Sequence, residues 1–323
     1  MRRPKSPGFA LVVLVTVLAT TPGVDLSIDV TSVSASRVAA PDHRPRAAVF
    51  VYPFGQLSVG KSGTLYYVDR QFGQIDEVTK SGSHIVLSSL KGTASPSGSI
   101  KGLRGLSVTK DAIWFTAAGN LYEASLSGHR VRQVGSAPGA RHLDVLGNGT
   151  IYFTTVTSVF ERIRGRVMTH VAGGTTIDFV EQQHGPQPAV DEAINPTDVL
   201  GVNSDAFYFT NENNLYFVEH GKSTMLRPRQ DFFNGELASG PHGALFGICD
   251  WSICRITGSR FKGLFNLRTR INGSFAAPDA LAVSPTGTFY ISYSNQSTPL
   301  KTGIAEFSPS GHLLAIVASR INK

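Results

Sequence analysis

Charge and cysteine are both scarce in this chain. Only 16% of its 323 residues are Asp, Glu, Lys or Arg, and it holds two cysteines. That count excludes a zinc site of paired cysteines, and neither a Gly-rich phosphate loop nor a nucleophile elbow occurs anywhere. No basic run carries interleaved aromatics, so nucleic-acid binding is excluded as a reading. The formal charge of +7 points the same way, because residues 1–46 contribute six Arg/Lys against three Asp and leave 24 basic and 20 acidic residues for the rest. What is abundant is Gly (33) and Pro (17), with Leu, Val, Ile, Tyr and Phe in short periodic runs. This is the composition of a β-protein and not of a helical bundle.

The chain opens Met1-Arg2-Arg3-Pro4-Lys5 ahead of the apolar run Phe9 to Ala19, the charged and apolar parts of a secretory signal peptide. The run is short for a bilayer span, and an uncleaved membrane tether is the alternative. No Cys follows it to support lipid attachment. Residues 1–24 therefore read as a signal peptide or N-terminal anchor, 25–46 as a flexible Ser/Ala/Val/Pro/Arg-rich leader, and 47–323 as the folded body of a secreted or extracytoplasmic protein.

The body repeats. The run Asn195 to Glu219 contains two β-type segments joined at Asn203-Ser204-Asp205 and a third after the corner Asn211 to Asn214. Six copies align on their second strand through Tyr66, Trp114, Tyr152, Tyr208, Phe246 and Tyr290, at intervals of 48, 38, 56, 38 and 44 residues. A period near 45 with several short strands per unit signals propeller blades. Third strands are expected near Gln74, Asn120, Val159, Leu215, Cys254 and Gly303, and fourth strands at His84–Leu87, Val131–Val134, Met168–Val171 and Leu313–Val317. The predicted fold is an all-β, six-bladed β-propeller of four-stranded antiparallel blades. Either Ala47 to Tyr52 or Leu313 to Val317 fills the outer edge of the last blade.

Val171-Ala172-Gly173-Gly174, Gly185-Pro186 to Ala193 and Asn195-Pro196-Thr197, leading into a strand pair, resemble the inter-blade segment and blade of NHL-repeat propellers. So do Gly105-Leu106-Ser107-Val108 to Tyr122 and Pro278 to Tyr290. The resemblance spans roughly Leu103 to Ser294, and it implies a six-bladed propeller similar also to streptogramin-lyase and lactonase-like propellers. NHL copies commonly carry Gly where this chain places Gln56, His142, Asp198 and Glu236.

Those four residues begin innermost strands, at the channel mouth where propellers usually take ligands. His142, Asp198 and Glu236 are the candidate catalytic and metal-ligating set. Two carboxylates and an imidazole suit a divalent cation, Ca²⁺ or Mg²⁺ from the oxygen ligands, with Mn²⁺ or Zn²⁺ admitted by the His; no cofactor is required by any motif. The alternative is His142 as general base beside Asp198 without a metal. Candidate ligand-binding residues are Gln56, Arg104, Arg141 and Asp279, the corner residues Asn211 and Glu212, and Trp251. His242 falls at the opposite end of its blade, and His184 sits in the insertion Gly173 to Ile194, a candidate lid. Cys249 and Cys254 read as the base of a four-residue hairpin loop closed by a disulfide. Asn148, Asn272 and Asn295 begin glycosylation sequons. Two functions remain open: a module binding a protein, peptide or glycan through the mouth, or a metal-assisted lyase or lactonase-like hydrolase.

Overall fold

Each strand pair that the repeat predicts becomes part of one blade. The computed structural model describes residues 54–321 apart from 80–81, 91–99, 129, 164–167, 175–186, 192–193, 212–213, 228–232, 268–275 and 296–300. The leader, Ala47 to Tyr52, His184, Glu212 and Asn272 lie outside the described residues. Blade 1 is Phe54–Val59, Leu65–Asp69, Gln74–Thr79 and Gly82–Leu87; blade 2 is Leu106–Val108, Ala112–Ala117, Asn120–Ser125 and Val131–Ser136. Blade 3 is Leu143–Val145, Ile151–Thr154, Val159–Arg162 and Thr169–Ala172; blade 4 is Pro196–Asn203, Ala206–Asn211, Asn214–Glu219 and Lys222–Arg227. Blade 5 is Phe233–Ser239, Leu245–Cys249, Ser252–Thr257 and Arg260–Asn266, and blade 6 is Ala276–Val283, Phe289–Asn295, Lys301–Phe307 and Leu313–Ile321. Among the four strands of each blade every pairing is antiparallel between neighbours in sequence, the result of short hairpin connections. No α-helix occurs among the described residues.

The outer strands of blades 4 and 5, Lys222–Arg227 and Arg260–Asn266, were not legible in the sequence. Outer strands face solvent, so the alternation that reports a buried face is weak: Arg260, Lys262, Gly263 and Leu264 are all exposed. Blade 4 also gains a short fifth strand, Gln187–Pro188, paired to Lys222–Arg227. The described end of the Gly173 to Ile194 insertion thus runs along the outer rim of blade 4, away from the channel.

The core lies between blades. Second strands are buried on both faces, as in Leu65–Asp69 and Leu245–Cys249, because each is sandwiched by the blades on either side. Six apolar clusters fill six interfaces: Phe115 packs with Val68, Phe153 with Leu121, Phe209 with Tyr152, Ile256 with Leu215, and Phe289 with Ile248. The sixth joins Leu57, Leu65 and Tyr67 of blade 1 to Ala280, Ala282 and Ile304 of blade 6 and closes the ring. The outer strand of blade 6 is Leu313–Ile321, so among the described residues each blade comes from one contiguous segment and closure rests on side-chain packing.

The cysteines need a correction. The turn between the second and third strands of blade 5 has two residues, Asp250 and Trp251, with Asp250 at φ 55. Register pairs Cys249 with Ser252 and Cys254 with Gly247, which puts the cysteines on diagonal positions of one face. Diagonal Cα atoms are about 7–8 Å apart, beyond ordinary disulfide reach. Both are buried thiols in the interface between blades 4 and 5.

Candidate functional site

The residues aligned at the start of the inner strands converge because every blade bulges there. In blade 4 Thr197 is the extra residue between the Pro196–Asn211 and Asp198–Thr210 pairs, and in blade 6 Asp279 is extra between Pro278–Tyr293 and Ala280–Ser292. Gln56 and Glu236 occupy equivalent irregularities in blades 1 and 5. Blade 3 shows the same geometry in its bonds, with Arg141 N donating to Thr154 O (2.8 Å) and Thr154 N to His142 O (3.1 Å). A bulge bends the strand and re-aims its side chains. Repeated round the ring, it turns these side chains toward the end of the channel.

His142, Asp198 and Glu236 meet there, with one ligand atom from each lying within 4.8 Å of the others. His142 Nδ1 is 3.3 Å from Asp198 Oδ1 and 3.8 Å from Glu236 Oε1, and it is buried without a hydrogen-bond partner. Asp198 is held from two sides: Oδ1 accepts from Val199 N (2.8 Å) and Oδ2 from Leu237 N of blade 5 (2.7 Å). Burial, followed by the neighbouring Asp198 and Asp279, pushes Glu236 well above the usual carboxylate range, with Arg70 opposing. Asp279 is raised by burial against the pull of Arg70 and His142. Two carboxylates and an imidazole in so little volume suit a cation: an orphaned ring nitrogen beside two carboxylate oxygens is a donor set that Ca²⁺, Mg²⁺, Mn²⁺ or Zn²⁺ would satisfy.

Gln56 takes another part. Its Nε2 donates to Leu143 O (2.9 Å), and its Oε1 accepts from Leu106 N (2.9 Å) and Leu143 N (3.1 Å). One amide therefore ties blade 1 to blades 2 and 3 across the channel end. Arg104 and Arg141 line a cavity of about 510 Å³ that also reaches His142. Asn211 is buried, and its Oδ1 accepts from Asn195 N (3.0 Å), which pins the entry to blade 4. Trp251 sits in the blade 5 corner, where its carbonyl accepts from Leu267 N (2.7 Å). His242 is exposed in the turn between the first two strands of blade 5, at the other end of the sheet.

No model of a known protein family matches the chain, and no curated protein matches it. Solved structures do. A streptogramin B lyase is 14% identical, with 84% of each chain covered and a TM-score of 0.49. A chain of a nidogen/laminin complex is 14% identical over 80% of this chain and 88% of that one, with a TM-score of 0.50. YCF48 bound to D1 peptide is 13% identical over 81% and 82%, at 0.49. At such identities the likeness is one of fold.

The structure adds functional residues at the inner strands that strand-start position alone does not single out. Ser58 Oγ accepts from Val108 N (2.9 Å), Ser107 Oγ from Val145 N (3.0 Å) and Asp144 Oδ2 from Gly201 N (2.8 Å). Inner strands do not pair across blades, so their channel-facing N–H groups need side-chain acceptors. Blades 1, 2 and 3 each supply one to the next blade in the same rotational sense, and Asp198 supplies one from blade 4 to blade 5. The signal was present as the polar middle residue of Leu57-Ser58-Val59, Leu106-Ser107-Val108 and Leu143-Asp144-Val145, two places after the aligned mouth residues. Burial raises Asp144 to about 6, against the Gly201 N–H that stabilises its charge. Arg70 was visible as a corner residue, but its proximity to Glu236 and Asp279 depends on ring closure.

Proposed function

We propose that this chain is an exported NHL-type propeller that binds its ligand at the channel mouth. The observation that carries this reading is the convergence of His142, Asp198, Glu236 and Asp279 from four blades beside a cavity of about 510 Å³. Ligand-binding sites are concave and hold a few polar groups on a rigid frame, which describes this mouth. The partner is a protein, peptide or glycan whose polar groups enter the mouth. The nidogen/laminin structure is a complex that contains a chain of similar fold, and export is supported by the Phe9 to Ala19 run. Among the described residues no helix is long and apolar enough to cross a membrane.

The His142, Asp198 and Glu236 cluster favours a second reading, a metal-assisted lyase or lactonase-like hydrolase. A divalent cation bound there would polarise a carbonyl or activate water. His142 and the two carboxylates would hold it, and the Leu237 and Val199 N–H groups would keep Asp198 oriented. Thermal unfolding after chelation, then with excess Ca²⁺, Mg²⁺, Mn²⁺ or Zn²⁺, tests the site. A cation at about a hundred times its dissociation constant adds roughly 2.7 kcal/mol, a shift of several degrees. The His142→Ala/Asp198→Ala/Glu236→Ala variant is expected to show no shift. If the native protein does not shift either, the metal reading fails; a shift without turnover on a panel of lactones and esters leaves the binding function.

A further inference from the structure

Beside the acid cluster the mouth has the opposite character. The cavity of about 510 Å³ is lined by Arg70 from the blade 1 corner, Lys101 and Arg104 from the entry to blade 2, and Arg141 and His142 from the entry to blade 3. Arg70, Lys101 and Arg104 are exposed and Arg141 is half-buried. Among the described residues none of these four heads enters an ion pair or a side-chain hydrogen bond, whereas Arg132 pairs with Glu123 and Arg162 donates to Val134 O. Arg70 is drawn toward Glu236 and Asp279 on the adjoining wall, which leaves Lys101, Arg104 and Arg141 unneutralised round the cavity; they repel one another, and that repulsion is relieved when an anion takes their donors. The body as a whole is nearly balanced, so this is a local concentration and not a reflection of overall basicity.

The backbone beneath them is fixed. Ile100 N donates to Gly73 O (2.6 Å), Arg104 N to Thr116 O (3.0 Å) and Arg141 N to Thr154 O (2.8 Å). Gly102 turns at φ +64 with Ala118 N 3.1 Å from where a Cβ would stand, and Arg70 Nε lies 2.9 Å from the equivalent point on Gly55. A side chain at position 55 would therefore displace Arg70 from its place over the blade 1 entry. Guanidinium groups suit carboxylate and phosphate oxygens because their forked donors bind two at once.

We infer that this basin binds a small polyanion, a ligand carrying at least two carboxylate or phosphate groups, with its acid groups on Arg104 and Arg141. The inference rests on the mouth being the ligand-binding end, as above, and adds the chemical class of the ligand. The two guanidiniums of Arg104 and Arg141 set the least number of acid groups. Glu236, Asp198 and Asp279 on the adjoining wall turn back an extended polyanion, so a nucleic acid is disfavoured.

Calorimetric titration with pyrophosphate and with citrate, in metal-free buffer of low ionic strength, tests it. At least one of the two binds saturably at one site per chain, and which one distinguishes phosphate from carboxylate as the preferred group. Binding weakens with added sodium chloride and falls at least about tenfold in Arg104→Ala/Arg141→Ala. Arg104→Lys/Arg141→Lys keeps the charge without the fork and recovers part of the affinity, while Lys262→Ala, on the outer strand of blade 5, binds as wild type does. The inference is overturned if neither probe saturates, if the double alanine variant binds like wild type, or if Lys262→Ala lowers binding as much as the double alanine variant does. With no metal in the buffer, failure of the cation titration leaves this result intact, and failure here leaves the cation result intact.

Discussion

Gln56→Ala removes one side chain and three inter-blade hydrogen bonds. The bonds measure 2.9, 2.9 and 3.1 Å, and they join blade 1 to Leu106 of blade 2 and Leu143 of blade 3. A hydrogen bond between neutral groups contributes about 1 kcal/mol net, and a buried group left unsatisfied loses more. Gln56 is half-buried at the channel end, so water replaces part of what is lost. The expected loss is roughly 2–3 kcal/mol, a fall of about 5 °C in Tm for a body of this size. Gln56→Glu has the same length but faces Leu143 O with an acceptor where the amide offered a donor, so it should be no better than alanine. Urea unfolding followed by tryptophan fluorescence gives the free energy, and amide exchange at Leu106 and Leu143 gives the location. A loss below about 0.5 kcal/mol with unchanged exchange at both amides would refute the tie and return Gln56 to the ligand set. Because the measurement is made without ligand, a purely ligand-binding role predicts that null outcome.

Asp144 should make stability depend on pH. Its folded pKa is raised to about 6 against about 3.9 for the unfolded chain, so the folded state holds the proton more tightly. The penalty is absent below about pH 4 and complete above about pH 6, so stability rises as pH falls through that window. Discounted for its contact with channel water, the effect is on the order of 1–2 kcal/mol. In metal-free buffer wild type should gain that much more than Asp144→Asn between pH 7.5 and 5, and parallel curves would sink the assignment. Gly128→Ala is a packing test. Gly128 has φ +72, and a Cβ would stand 2.1 Å from Val86 O of blade 1. We expect a loss of roughly 2–4 kcal/mol, against about 1 kcal/mol for Gly63→Ala at φ +86, where nothing lies within 4 Å. Equal losses in denaturant melts would mean that the corner yields freely.

Chain order alone carried the architecture because a blade is a local object. Its strands pair with their sequence neighbours, so a period near 45 and the aliphatic-aromatic pattern at Tyr66, Trp114, Tyr152, Tyr208, Phe246 and Tyr290 are complete evidence for it. The same alignment put His142, Asp198 and Glu236 at equivalent strand starts, which is why their meeting could be expected. It could not separate roles among equivalent positions. Gln56 aligns with Asp198, yet one amide is spent on backbone groups of two blades, and the other carboxylate accepts from blade 5 while facing His142. The disulfide failed for a related reason: sequence spacing fits a four-residue loop, while the register, fixed by packing between blades 4 and 5, makes a two-residue turn.

By itself, then, the sequence determined the repeat, the strand order and the set of polar residues that begin the inner strands. All of these follow from contacts within about 45 residues, where hydrophobic alternation and turn residues act directly. Only the closed ring decided which of those residues are occupied as inter-blade acceptors, that Arg70 faces Glu236 and Asp279, and that cations gather on one side of the mouth with carboxylates on the other. Those relations join positions up to about 200 residues apart, and they exist only once bulges have turned each strand start inward and Leu57 and Tyr67 have packed against Ala280 and Ile304.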